Sequence, residues 1–211
     1  DAFEQSDSGQ SLVDMMELDL IVGSGGVLSH APRREQSAKM LIDSFLPEGI
    51  TSLAVDSIFM MPQLGVMANI DKKSIAEEAR VAALEVFEKD CLIRLGTCVA
   101  PVGSMSKSEV PLKINLEFKN GEKKSINLQS GELIRVEVGY EEVKAELIPA
   151  KGINVGAGKG EKIDTIIFGG QVGLIFDGRG RPLDVGSDPN ERISNLKKWA
   201  SALNEYPELK E

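Results

Sequence analysis

The chain has 211 residues, 42% of them hydrophobic and 27% charged, with a formal net charge of −9 at pH 7. This is enough for one large or two modest domains with a sizeable core. No apolar run is long enough to span a bilayer as a helix, and no basic-then-apolar leader opens the chain. The acidic balance argues against a nucleic-acid partner, which would need a basic face. Cys91 and Cys98 are too far apart for a CxxC motif and read as free thiols in a reducing, cytoplasmic setting. His30 is the single histidine, so a histidine-based triad has at most one base, and no metal site is expected.

The chain starts at Asp1 with a polar lead, Glu4-Gln5-Ser6-Asp7-Ser8-Gly9, which reads as a boundary within a longer protein. Residues 11–18 read as a short helix feeding an apolar strand at 20–22. The strand ends in Gly23-Ser24-Gly25-Gly26-Val27-Leu28-Ser29-His30, with a helix expected over 33–45 from the apolar spacing Ala38, Leu41, Ile42, Phe45. Strand, glycine turn, then helix brings backbone N–H groups toward a ligand, and a helix N-terminus beyond the turn would suit phosphate. The turn lacks the third glycine of a dinucleotide fingerprint, because position 28 is Leu28, and it lacks the Gly-Lys-Ser/Thr of a P-loop. A plain strand-to-helix turn is the bland reading.

Pro47-Glu48-Gly49 stops the helix, and residues 51–57 read as a second buried strand. Residues 75–89 read as an amphipathic helix with Ser74 as N-cap, Glu77 completing a capping box, and Ala79, Ala82, Ala83, Val86 and Phe87 inward. From about Val99 the pattern alternates: Leu112, Ile114, Leu116 and Phe118, a turn at Asn120-Gly121, then Ile126 and Leu128. Further alternating or apolar runs cover 133–138, 143–148, 163–168 and 172–176. At least six strands without a long helix predict a β-sandwich or barrel. The tail over 191–203, started by Asp188-Pro189, reads as a helix with Ile193, Leu196, Trp199, Ala200 and Leu203 inward. The expected division is an α/β part over 1–98, an all-β part over 99–190, and a C-terminal helix over 191–211 packed on it.

Among single residues, Asp56 either faces a ligand crevice at the end of its strand or caps the next segment. Arg33 and Arg34 could stack on adenine or contact phosphate, with Arg34 better placed on a solvated face. His30 reads as structural and Met60-Met61-Pro62 as core. Gly156-Ala157-Gly158-Lys159-Gly160 has no Ser or Thr after its lysine and reads as a flexible loop. Asp177-Gly178-Arg179-Gly180-Arg181-Pro182 reads as a solvated turn whose arginines could dock an acidic partner.

The Gly25-Gly26…Ser29 turn resembles the adenosine loop of the actin-like ATPases. Taken with Leu53-Ala54-Val55-Asp56-Ser57-Ile58-Phe59-Met60-Met61-Pro62 and Gly170-Gln171-Val172-Gly173-Leu174-Ile175-Phe176-Asp177-Gly178-Arg179-Gly180-Arg181-Pro182-Leu183, the chain is similar to the C-terminal part of the glutamate mutase L family. That family is also called MutL and is unrelated to the mismatch-repair protein of that name. The resemblance implies part of an actin-like, ribonuclease H-like ATPase domain. It further implies a chaperone-like factor that uses ATP and Mg²⁺ to reactivate an adenosylcobalamin-dependent mutase of the glutamate mutase or aminomutase type. Gly25, Gly26 and Ser29 are the positions that match the family's loop; with Gly23, Ser24, Arg33 and Asp56, read from the residues themselves, they are the expected nucleotide-binding residues, and no catalytic residue is assigned. No Asp-x-Gly-x-Thr hairpin opens the chain, so only the adenosine side of a cleft is expected, with no nucleotide held tightly by these residues alone. The competing expectation is a protein-docking module with no nucleotide activity.

Overall fold

The computed structural model describes residues 13–70, 75–105 and 110–205. After a 3-10 turn at Met15–Glu17, the chain forms β1 (Leu20–Gly23), a one-turn α1 (Gly26–Ser29), α2 (Arg34–Phe45) and β2 (Gly49–Asp56). Two helices follow, α3 (Met61–Ala68) and α4 (Ala76–Val86), the latter running into a π-turn at Phe87–Cys91. Then come β3 (Leu92–Ala100), β4 (Val102–Gly103), β5 (Leu112–Glu117), β6 (Lys123–Leu128), β7 (Leu133–Val136) and β8 (Glu142–Pro149). The remaining elements are β9 (Ile153–Asn154), β10 (Ile163–Phe168), β11 (Gly173–Asp177) and α5 (Pro189–Ala202).

The strands sort into a five-stranded mixed sheet, β1-β2-β3-β11-β7, a four-stranded antiparallel sheet, β10-β8-β5-β6, and the small pair β4-β9. The mixed sheet is the middle of three layers. On one side α2 and α5 bury Ala38, Leu41, Ile42, Trp199 and Leu203 against Ile21, Leu53, Val55, Leu95 and Ile175. On the other, Val99, Val136, Leu174 and Phe176 meet Leu112, Ile114, Leu116, Val143, Ala145 and Leu147 of the antiparallel sheet. β11 shows how the sequence builds both cores at once. It is buried throughout, with Leu174 and Phe176 in one core and Ile175 in the other, as a period of two requires.

The strand pattern between Pro111 and Phe176 holds, since that stretch contains only strands and turns. It does not close into a barrel. β7 and β11 leave their antiparallel neighbours and join the sheet begun by β1 and β2. β11 runs parallel to β3, with Gly173 opposite Gly96. A Cβ at Gly96 would lie 1.7 Å from the Gly173 carbonyl oxygen, so a glycine is required where these two strands meet. The expected boundary at residue 98 therefore falls inside β3, in a sheet shared by both halves of the chain. Likewise α5 packs on the α2 side of the mixed sheet rather than on the antiparallel sheet, because its large apolar residues belong to the core that α2 also fills.

Only the second half of α5 is inward. Ile193 and Leu196 are exposed, whereas Trp199, Ala200 and Leu203 are buried, so the expected five-residue inner face is cut to three. In α4, Ala79 and Ala83 are buried while Val86 is exposed. The proposed cap Ser74 lies outside the described residues. Cys91 and Cys98 are both free buried thiols. Burial, followed by the nearby Asp177 carboxylate, pushes the Cys98 thiol up to about 12.

Candidate functional site

Parallel pairing of β1 with β2 sets the site. Gly23 stands opposite Val55, so the next residues, Ser24 and Asp56, leave neighbouring strands at their C-terminal ends. Crevices of open α/β sheets form at such ends. The Ser24 hydroxyl donates to Asp56 Oδ2 at 3.2 Å, and the Ser29 hydroxyl donates to the Asp56 carbonyl. Thus the glycine turn is tied at both its ends to one residue of β2.

Gly25 has φ +108° and caps α1, a conformation that glycine adopts without steric cost. Leu28 and Ser29 both donate their N–H groups to its carbonyl, at 3.1 and 2.9 Å. A Cβ placed on Gly25 or on Gly26 would meet nothing within 4 Å, so the turn presents bare backbone to open space. Gly23 differs. A Cβ there would come 2.8 Å from Leu28 Cδ1 and 3.0 Å from Leu41 Cδ2, which makes it a packing glycine beneath the turn.

Asp56 is fully buried, and the structure makes it the cap of the next segment as well as the partner of the turn. Its Oδ1 accepts from Met60 N–H at 3.1 Å and its Oδ2 from Met61 N–H at 2.9 Å. Burial acts to raise its pKa. The Met61 and Met60 amides, the Ser24 hydroxyl and the Ile58 amide outweigh that and hold the carboxyl below its ordinary value. An ionised carboxylate with both oxygens engaged is a structural anchor, and it has little capacity left to ligate a cation.

The helix after the turn departs from expectation. α1 is a single turn of four residues, and α2 begins only at Arg34, beyond His30-Ala31-Pro32-Arg33, so no long helix opens at the glycines. Arg33 is the N-cap residue of α2, and its guanidinium reaches the Asn204 carbonyl at 3.3 Å. The arginine that holds the glycine segment is Arg34, whose Nη1 donates to the Ser29 carbonyl at 2.8 Å and more weakly to Leu28 at 3.4 Å. Ser37 adds a bond to the Leu28 carbonyl at 2.7 Å. Arg34 is therefore a brace rather than a solvated side chain. His30 is exposed.

The loop after β11 is also reassigned. Asp177 is fully buried and Arg179 nearly so. Arg179 Nε and Nη2 grip Asp177 at 2.9 Å each, and its Nη1 reaches Asp43 of α2 at 2.8 Å. Arg181 donates to Asp177 at 3.1 Å and to the Pro47 carbonyl at 2.8 Å. Burial tends to raise the Asp177 pKa, but the hydrogen bonds and charge of Arg179, reinforced by Arg181, keep it below the usual range. These arginines bind α2 and the chain after it to β11, so they are not free for an acidic partner. The only signal of this in the sequence is an aspartate directly after a continuous apolar strand.

Among the described residues, no group of three or more His, Cys, Asp and Glu could hold a metal ion, and no helix is long and apolar enough to cross a membrane. No curated protein and no solved structure matches the chain. Residues 5–90, the segment that carries the glycine turn, Asp56, α3 and α4, match the family model described as MutL protein.

Proposed function

We propose that this chain supplies the adenosine side of an ATP-binding cleft in a chaperone-like factor that reactivates an adenosylcobalamin-dependent mutase. The observation that carries the reading is the bare Gly25-Gly26 backbone, open on its outer side and anchored through Ser24 and Ser29 to Asp56 at the end of the neighbouring parallel strand. A flat base or sugar can approach such a backbone closely because no side chain intervenes. The MutL match over the segment containing the turn supports the mutase as partner.

In this reading Gly25 and Gly26 form the contact surface, Ser24 offers a hydroxyl at its rim, and Gly23, Ser29, Arg34 and Asp56 fix the turn. Arg33 has a smaller share than its sequence position suggests, since its guanidinium spans toward the end of α5. ATP would bring its own triphosphate charge, with Mg²⁺ to balance it. The chain has no Asp-x-Gly-x-Thr hairpin, and Asp56 is fully engaged, so phosphate and metal binding are assigned elsewhere in the cleft. The 211 residues alone are therefore expected to hold ATP weakly and not to hydrolyse it.

The test is calorimetric titration of ATP into the intact protein and its Gly26→Val form. A Cβ at Gly26 meets nothing within 4 Å, so the substitution should leave the fold unchanged, as circular dichroism would verify. At least tenfold weaker binding is expected, about 1.4 kcal/mol. Equal affinities in two folded proteins, or no ATP binding by either, would remove the turn from a nucleotide site. A docking module without nucleotide activity would then be the better reading, with its surface elsewhere than on Arg179 and Arg181.

A further inference from the structure

α3 and α4 are attached to the molecule differently from α2 and α5. Neither contributes a residue to the two large cores. They pack mainly against each other and the π-turn, around a small core of Leu64, Ala83 and Cys91. A unit that shares so little apolar contact with the sheets opens more readily than they do. Both of its junctions have irregular backbone. On the way in, exposed Phe59 holds φ +60°, a left-handed conformation that bulky side chains rarely adopt. On the way out the chain takes the π-turn at Phe87–Cys91, wider than the turns of α4 before it. Ser57 ties the junctions together, its N–H and hydroxyl both donating to the Cys91 carbonyl, at 2.8 and 2.7 Å. A fixed base with dihedral freedom beside it is how a hinge is made.

Asp56 connects this unit to the glycine turn. Its Oδ1 takes the Met60 amide, while its Oδ2 is shared by the Met61 amide at 2.9 Å and the Ser24 hydroxyl at 3.2 Å. The Met60 carbonyl then accepts the Leu64 N–H at 2.9 Å, so the residue held by Oδ1 also opens the hydrogen-bond ladder of α3. One rotamer of a buried side chain therefore serves both neighbours. If the carboxylate follows a shift of the turn, it turns away from the two amides. If it follows α3, it leaves Ser24.

We propose that Asp56 couples the glycine turn to the position of α3–α4. In the held state the carboxylate keeps all three partners. In the released state it keeps Ser24 alone, and the helical pair swings about the Ser57–Cys91 base. A ligand resting on Gly25 and Gly26 favours the held state because it fixes the turn, and displacement of the helices loosens the turn in return, since such coupling is reciprocal. The ligand's part in this rests on the nucleotide reading above. The coupling itself does not.

The experiment is amide hydrogen exchange on the intact protein, followed at Met60, Met61 and Leu64 on one side and at Leu28 and Ser29 on the other. Ser24→Ala should accelerate exchange at the first three amides roughly fivefold or more. Ser24→Thr, which keeps the hydroxyl, should stay near wild type. Trp199→Phe, which removes a hydrogen bond far from Asp56, should leave these amides unchanged. In the other direction, Leu64→Ala should accelerate Leu28 and Ser29, and should no longer do so when combined with Ser24→Ala. Unchanged exchange at Met60 and Met61 in Ser24→Ala, or an equal acceleration in Trp199→Phe, would overturn the coupling. Saturating ATP should slow exchange at Met60 and Met61 in the wild type. ATP that binds without slowing them would also overturn the proposal, whereas no ATP binding would count against the nucleotide reading alone and leave the Ser24 variants to decide the coupling.

Discussion

Arg179 lies with its guanidinium carbon 5.0 Å from the centre of the Trp199 indole. The same guanidinium holds Asp177 and Asp43, so one side chain joins β11, α2 and α5. The charge is compensated by two carboxylates and covered by an aromatic face, which is what allows it to be buried.

Trp199→Ala should destabilise the protein by about 3–5 kcal/mol, since the indole is buried in the core shared by α2 and the mixed sheet. Trp199→Phe should cost less, mainly the hydrogen bond from the indole N–H to the Gly131 carbonyl at 2.9 Å, about 1 kcal/mol. Urea melts followed by circular dichroism measure both. A loss below about 1 kcal/mol for Trp199→Ala would mean that α5 is not anchored by its tryptophan.

The Asp177 carboxyl has its pKa lowered in the folded state. A depressed folded value adds stability that is complete above the unfolded pKa, near 3.9, and is lost as pH falls from there through the folded value. The stability difference between wild type and Asp177→Asn should therefore be constant above about pH 5 and shrink below about pH 4. Denaturant melts at several pH values decide this. A gap that widens on acidification would show the pKa shifted the other way.

Asp56→Ala should release the first turn of α3. Loss of the bonds to the Met60 and Met61 amides and to Ser24 is expected to cost about 1–3 kcal/mol. Hydrogen exchange should accelerate at those two amides first, and Asp56→Asn, which keeps one acceptor oxygen, should have a smaller effect. Unchanged exchange at Met60 and Met61 would show that another group starts the helix.

Much of the fold was legible because local pattern and final environment agree. Alternation over Leu112, Ile114 and Leu116 gives β5, and Asn120-Gly121 turns it toward β6, with Gly121 at φ +85°. The glycine turn was legible for the same reason, since positive φ at Gly25 is a local need. Asp56 was recognisable as special, yet its two readings stayed open because capping and site-facing roles ask for the same residue type. The structure gives it both connections, to Ser24 and to α3.

The sequence by itself determined most of the helices and strands and where the glycine turn lies, because these follow from residue spacing and backbone freedom. It did not mark α3 at Met61–Ala68, whose Met-Pro start reads as core. Only the tertiary structure decided which sheet each strand joins. Pairing is a long-range choice, and β7 and β11 carry the same apolar alternation as strands of either sheet. For that reason the boundary expected at residue 98 falls inside a shared sheet. The charged loop Asp177–Arg181 is hidden rather than solvated, since its burial depends on Asp43 and Trp199, residues far away in sequence that the fold brings within reach.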